Sequence, residues 1–319
     1  SIDAALYGWD DIPVIYNAIL SAQKRGVKLR IVYDVSKNSY YPDTQKLTNI
    51  ADESKGDGKT HLMHNKFMIF DNQKIITGSM NFSGTGLSGF NTNCIFLINS
   101  KEIAQKYKSE FEQMLNGKFK GDKSKLNIQT YQINNIKITP LFSPKNKITT
   151  NYIIPLLNKA NNYIYIPAFI ITHNQFTNAL IKAKERGVDV KIIIDATTVS
   201  SSKSKIKFLR DKGIQVKTEN YAGKMHSKSI IIDDKYIIAG SMNFTNSGEN
   251  FNDENSLIIE SSRLAIYYKK FFEYLWKKIP DKYLQHNVKP ESKYSVGSCF
   301  DGIDNDYDGK IDMQDSACQ

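Results

Sequence analysis

Two stretches of the chain carry one spacing of reactive side chains, H-x-K-x4-D-x6-G-S-x-N. It occurs first as His64, Lys66, Asp71, Gly78, Ser79 and Asn81, and again as His226, Lys228, Asp233, Gly240, Ser241 and Asn243. On a strand, residues two apart share a face, so each copy sets an imidazole beside an ammonium. Breaking a phosphodiester takes a nucleophile, a proton donor for the leaving oxygen, and positive charge on the non-bridging oxygens. Two imidazoles, two ammoniums and two amides meet those needs, so no metal cofactor is required for catalysis. One His-x-Lys pair is common on any solvated strand; two copies matching over the whole spacing are not chance.

The blocks lie within a longer duplication. Residues 17–34, NAILSAQKRGVKLRIVYD, parallel residues 178–195, NALIKAKERGVDVKIIID, and residues 63–83 parallel residues 225–245. In each copy a helical period closes on Arg25-Gly26 or Arg186-Gly187 and runs into a β-rich stretch, a helix stopped by glycine and followed by a buried strand. Copy two continues with a polar helix near Lys203 to Lys212, a strand IQVK, and two strands joined by Asp233-Asp234. CIFLI followed by Ile103 to Leu115 matches SLIIE followed by Leu264 to Lys277. Strands alternating with helices predict an α/β fold of two tandem α/β/α sandwich repeats. Repeat one spans 1–125, repeat two 126–280, a linker 281–298 and an acidic tail 299–319.

With its duplicated His-Lys-Asp blocks, each followed by Gly-Ser-x-Asn, the chain resembles the phospholipase D superfamily over residues 2–278. The resemblance implies a phosphodiesterase whose copies face each other across one active site at a pseudo-twofold axis. It further implies that one histidine attacks phosphorus to form a phosphohistidine while the other protonates the leaving group and later activates water. Lys66, Lys228, Asn81 and Asn243 would hold the phosphoryl oxygens, with Ser79 and Ser241 as supporting donors. The copies differ where FNDEN places Glu254 and FNTN places Asn93. A nucleophilic histidine gains from a carboxylate on its other nitrogen. In chains of this resemblance the acidic residue of the second half reaches the first-half histidine, which assigns His64 as nucleophile backed by Glu254, and His226 as general acid with Asn93 as the weaker partner.

Other residues read more plainly. Asp71 and Asp233 end their strands where the chain turns and take a structural role. The Gly-Ser steps are expected to let backbone approach the phosphate. His173, where a strand feeds a helix, is a weak substrate-binding candidate, whereas His61 and His286 carry no role.

The chain has 319 residues, 40% hydrophobic and 24% charged, an ordinary globular composition. Its net charge of +10 becomes +15 on residues 1–298 once the tail's six aspartates and one lysine are set aside. Such a surface attracts polyanions, either nucleic acid or an anionic phospholipid surface. No run approaches the roughly 20 apolar residues of a membrane span; the longest, around Tyr163 to Thr172, is interrupted by Pro167. Because the chain opens on a strand-like run, Ile2 to Tyr7, without an initiator Met, it reads as a fragment of a longer precursor.

The tail reads DNDYDGKIDMQD, with Asp304, Asp306, Asp308, Asp312 and Asp315 at positions 1, 3, 5, 9 and 12 and Gly309 at 6. That is the pattern of an EF-hand calcium loop, with Asp where Glu is usual at its end; it is similar to short extracellular calcium repeats of the dockerin kind. Cys299 and Cys318 bracket it as a disulfide pair, while Cys94 sits in an apolar run. Calcium loop and disulfide together predict a secreted protein, extracellular or periplasmic.

Compact copies leave little room for lipid-selective insertions, and an interfacial helix rich in Trp and Phe is not evident, only Trp9 and Trp276 being present. A secreted nuclease acting on DNA or RNA is therefore the first expectation. The alternative is a phospholipase D or phosphatidyltransferase acting on phospholipid headgroups. Tyr40 and Tyr41, in the loop Ser36 to Asp57, would serve either substrate. A binding module without activity is disfavoured by intact motifs in both copies, and since both half-sites lie in one chain a monomer suffices.

Overall fold

The computed structural model describes residues 1–37, 40–58 and 60–319; Asn38 and Ser39 of the Ser36 to Asp57 loop lie outside the described residues. The first half contributes β1 (Ile2–Leu6), α1 (Pro13–Lys24), β2 (Leu29–Tyr33), β3 (Glu53–Gly56), β4 (Lys66–Phe70), β5 (Lys74–Gly78), β6 (Ile95–Asn99) and α2 (Lys101–Leu115). The second contributes β7 (Tyr131–Ile133), β8 (Ile136–Ser143), β9 (Tyr163–Ala168), α3 (Asn174–Glu185), β10 (Asp189–Ile194), α4 (Ile206–Asp211), β11 (Gln215–Thr218), β12 (Ser229–Ile232), β13 (Tyr236–Gly240), β14 (Glu254–Glu260) and α5 (Ser262–Lys278).

The strand order is β3-β2-β1-β4-β5-β6 in one sheet and β11-β10-β9-β12-β13-β14-β8-β7 in the other. Apart from the added β8 and β7, the two sheets repeat one topology. The strands linked through helices pair in parallel and the hairpin strands pair antiparallel.

Local sequence accounts for the boundaries. Gly26 and Gly187 take φ of +89° and +91° just past α1 and α3, the left-handed turn in which a helix ends on glycine. Ser100 and Ser261 cap α2 and α5 by accepting the backbone N–H of Ile103 at 3.3 Å and of Leu264 at 3.5 Å. Asp71-Asn72 and Asp233-Asp234 all have positive φ, as the central residues of a type I′ hairpin turn must. The Asp233 carboxylate accepts the N–H groups of Asn161, Asn162 and Tyr163 at 2.7, 2.8 and 2.9 Å, tying that hairpin to the start of β9.

The glycines of the Gly-Ser steps are required by the packing of the sheets. A Cβ at Gly78 would lie 2.1 Å from the Cys94 carbonyl oxygen, and one at Gly240 would lie 2.2 Å from that of Asn255. Only glycine lets the neighbouring chain pass so close.

One continuous core unites the halves. Ile103, Tyr107, Phe111 and Met114 of α2, none of them exposed, meet Ala265 and Phe272 of α5 and the inward faces of both sheets. Smaller clusters sit beneath α1 and beneath α3. Parting the halves would expose the shared core, so apolar burial holds the copies face to face. Residues 281–298 are packed rather than a free linker, with Tyr283 and Val288 joining that core and Glu291 and Ser292 buried. Cys299 and Cys318 form a disulfide, their Cα atoms 5.6 Å apart, and Cys94 is buried and free. No helix among the described residues is long and apolar enough to cross a membrane.

Candidate active site

His64 and His226 stand just before β4 and β12, where each half touches the other. The Asp253 N–H donates to the Leu62 carbonyl at 2.9 Å, and the His64 N–H donates to the Asp253 carbonyl at 2.8 Å. About the pseudo-twofold axis the Thr92 N–H donates to the Lys224 carbonyl at 2.8 Å and the Lys224 N–H to Asn91 Oδ1 at 2.9 Å, as the Leu62 N–H does to Asn252 Oδ1 at 3.2 Å, but the His226 N–H donates to the carbonyl of Lys224 in its own segment at 2.8 Å. Each histidine segment is thus tied to the segment that carries its side-chain partner, and only His64 is tied through its own N–H. Glu254 Oε2 lies 2.8 Å from His64 Nδ1, and Asn93 Oδ1 lies 3.0 Å from His226 Nδ1. Both rings, with Asn81 and Asn243, line a single cleft of about 670 Å³.

The lysines fold back beside their own histidines. Lys66 Nζ donates to the His64 carbonyl at 2.8 Å and Lys228 Nζ to the His226 carbonyl at 2.6 Å, with both residues buried. Each ammonium also faces an aromatic ring, Lys66 at 4.6 Å from the Tyr7 centroid and Lys228 at 5.1 Å from that of Phe169. The same two rings meet the imidazoles edge to face, at 4.6 Å for His64 and 5.3 Å for His226. Tyr7 and Phe169 belong to no reactive motif and were missed as site residues, yet one signal points to them: each follows the corresponding strand of its copy, β1 or β9, at equivalent positions of the repeat.

Several expected residues hold other posts. Ser241 Oγ donates to Glu254 Oε2 at 2.6 Å and Ser79 Oγ to Asn93 Oδ1 at 2.8 Å, so both serines steady the partner of a histidine instead of reaching toward substrate. Asp71 and Asp233 stand at the hairpins, at the far end of β4 and β12 from the histidines. His173 does not line the cleft. It is buried at the start of α3, where its Nδ1 accepts the Phe176 N–H at 3.2 Å and its Nε2 bonds Glu249.

In the tail, carboxylate oxygens of Glu291, Asp304 and Asp306, and of Asp306, Asp308 and Asp315, gather within 4.8 Å. Asp312 belongs to neither group, because its carboxylate accepts the N–H groups of Asp301 at 3.0 Å and Gly302 at 3.1 Å. Glu291, which the linear pattern leaves in the linker, stands among them instead. It was invisible because the loop spacing counts only residues within the loop.

A buried network sets Glu254. Its neighbour Asp253 is 2.6 Å from Lys123 Nζ, which also bonds Glu110, and Asn252 Nδ2 donates to Glu254 Oε1 at 3.3 Å. Burial pushes the Glu254 carboxyl up to about 8. Burial, then the Lys66 and Lys228 ammoniums, hold the His64 imidazole well below its usual range; for His226 burial acts first and Lys228 next. Burial also brings the Lys66 ammonium down to about 7 and pushes Lys228 well down, with Lys66 adding to the effect. Two ammoniums buried near one another each disfavour the other's charge.

A duplicated α/β/α unit with one His-Lys pair from each half in a shared cleft defines a phospholipase D-type two-histidine protein. The chain belongs to the family described as "Cardiolipin synthase, PLD-like domain", which matches residues 1–115 and 153–276. It is 40% identical over 116 residues to a phospholipase D of Rickettsia typhi, covering 36% of this chain and 57% of that protein. It is 31% identical over 145 residues to the mitochondrial cardiolipin hydrolase of Mus musculus, covering 45% and 66%. The chain thus spans 57% to 66% of these relatives' lengths. Phosphatidylserine synthase of Haemophilus influenzae shares the fold with a TM-score of 0.66 over 90% of this chain and 83% of its own, at 13% identity.

Proposed function

We propose that the chain is a metal-independent phosphodiesterase working through a phosphohistidine, with DNA or RNA as its substrate. The observation that carries the chemistry is the pair of imidazoles in one cleft, each with Nδ1 engaged by the opposite half. Donation of His64 Nδ1–H to Glu254 leaves the Nε2 lone pair free to attack phosphorus. The P–O bond to the leaving group breaks, and the leaving oxygen takes the Nε2 proton of a protonated His226. Water then gives a proton to His226 Nε2 as its oxygen attacks phosphorus, and the P–N bond breaks to restore His64. Lys66, Lys228, Asn81 and Asn243 hold the charged oxygens throughout. The carboxylate of Glu254 suits the cation that forms on a phosphorylated imidazole better than the neutral amide of Asn93 does, which supports His64 as the nucleophile.

The cleft lining supports a nucleic acid. Tyr7, Tyr41 and Phe169 line it together with Lys37 and Lys224, a combination suited to stacking bases and following a phosphate backbone. The disulfide supports a compartment outside the cytosol.

A phospholipid headgroup is the second reading, favoured by α5. That helix leaves Ile266, Tyr267, Phe271 and Tyr274 exposed beside Lys270, Lys277 and Lys278, as an interfacial helix would. Relatives named phospholipase D and cardiolipin hydrolase point the same way.

The deciding experiment offers plasmid, single-stranded DNA, RNA and anionic phospholipid vesicles in EDTA. Nucleic-acid cleavage that persists without metal and falls with added salt is the expected result; headgroup release with nucleic acid left intact would replace the first reading by the second.

The pH profile is a further expected outcome. Lys66 with a value of about 7 is cationic below that pH and neutral above it, whereas Glu254, raised to about 8, becomes a carboxylate only above that. Because p-nitrophenolate leaves without an acid, kcat/KM for bis(p-nitrophenyl) phosphate should change little between about pH 7 and 8, where the two titrations offset each other, and fall by about tenfold per pH unit above about 8. A rate that keeps climbing from pH 8 to 10 would contradict the assigned charges.

A further inference from the structure

The acidic tail returns to the active site. Ile303, Asp304, Asn305 and Tyr307 line the same cleft as His64 and His226. Its base is fastened to the second half: the Ala222 N–H donates to the Val296 carbonyl at 2.9 Å, the Val296 N–H to the Asn220 carbonyl at 2.7 Å, and Asn305 Nδ2 to the Ala222 carbonyl at 3.0 Å. Its tip reaches the first half, where the Tyr307 hydroxyl lies 3.4 Å from that of Tyr40. Between these attachments the Tyr307 ring covers Lys224 Nζ at 4.1 Å from its centroid. The disulfide from Cys299 to Cys318 closes the segment into a loop.

We propose that this loop is a strap across the mouth of the cleft and restricts the enzyme to a single, unpaired nucleic-acid strand. The proposal rests on the nuclease reading and adds the form of substrate that reading leaves open. Two features carry it. The first is steric: with its base on the second half and its tip against the first, the loop spans the mouth of the cleft, a constriction that a flexible single chain enters more readily than a stiff rod such as duplex DNA. The second is electrostatic. The strap adds Asp304 to a cleft lining that already holds Asp10 and Asp11. A lone backbone can follow the lysines and avoid these carboxylates, whereas a duplex brings a second backbone and twice the charge per unit length toward them.

The test compares kcat/KM of wild type, Tyr307→Ala and the double variant Cys299→Ser/Cys318→Ser on three substrates: a single-stranded oligonucleotide, the duplex of the same sequence, and bis(p-nitrophenyl) phosphate. Anionic vesicles form a fourth arm. Wild type should prefer the single strand to the duplex by at least tenfold. Both variants should raise duplex cleavage at least fivefold and leave the single strand and the small diester within twofold. The small diester reports an intact catalytic centre, so an unfolded variant is recognised at once, and Tyr307→Ala leaves the disulfide untouched.

A duplex-to-single-strand ratio that stays within twofold of wild type in Tyr307→Ala would overturn the strap while leaving the nuclease reading in place. Loss of all three activities together in a Tyr307→Ala variant whose thermal unfolding matches wild type would also overturn it, by making Tyr307 part of the catalytic centre. Wild type that turns over the small diester and vesicles but neither oligonucleotide would defeat the nuclease reading itself, and the strap's substrate role with it.

Discussion

His64→Ala and His226→Ala each lower turnover by about 10⁴-fold or more, the scale on which removal of a nucleophile or its proton-transfer partner acts when the two work as a unit. The double variant should be scarcely worse than either single one, because a half-equipped cleft has already lost the covalent route. The two histidines differ in what remains. p-Nitrophenolate leaves without help from an acid, so His226→Asn should still be phosphorylated by bis(p-nitrophenyl) phosphate and then stall for lack of a base to activate water. A burst of one equivalent of nitrophenolate, with a covalently bound fragment mapped to His64 by mass spectrometry, is the expected result, and His64→Asn should give no burst. A burst in His64→Asn and none in His226→Asn would reverse the assignment; wild-type-like turnover in either alanine variant would overturn the two-histidine mechanism.

Glu254→Gln lowers kcat by about 10³-fold, whereas Asn93→Ala costs about tenfold, both with little change in KM. The glutamine is the instructive change. Glu254 Oε2 accepts from both His64 Nδ1 and Ser241 Oγ, and a glutamine oxygen can occupy the same place without the charge. What is lost is the anion that steadies a cationic, phosphorylated imidazole. Since Glu254 is fully buried in the network around Asp253 and Lys123, folding has to be checked separately, by thermal unfolding and by the burst. A folded Glu254→Gln that keeps a full burst but a slow second step would place the carboxylate in hydrolysis of the intermediate. Equal losses in Glu254→Gln and Asn93→Ala would mean that the two halves are chemically equivalent and that the asymmetry does not choose the nucleophile.

The chemical inventory is legible in the amino-acid sequence because the chain repeats itself. His64 with Lys66 would be an ordinary pair on one strand; the second pair at His226 and Lys228, in the same frame of helices, glycines and hairpin turns, makes it a site. Helix ends at Gly26 and Gly187 and turns at Asp71 and Asp233 are equally legible, since backbone conformation there is dictated by residues next to one another in the chain. Where local patterns mislead, a distant group has claimed the residue. His173 reads as a helix-start residue facing a ligand, but Glu249 draws it inward. Ser79 and Ser241 read as phosphate donors, but Asn93 and Glu254 accept from them first.

By itself, then, the sequence determined the α/β unit, its duplication and the reactive groups, because these depend on short-range periodicity and on two copies of a pattern supporting each other. The pairing of Glu254 with His64 across 190 residues was expected from the resemblance, and only the tertiary structure decided which other groups meet: Tyr7 and Phe169 against the lysines, Glu291 among the tail carboxylates, and Tyr307 against Tyr40 across 267 residues. Such pairings follow from the burial of a core shared by both halves, and a free energy summed over that many distant side chains leaves no local spacing from which they could be read.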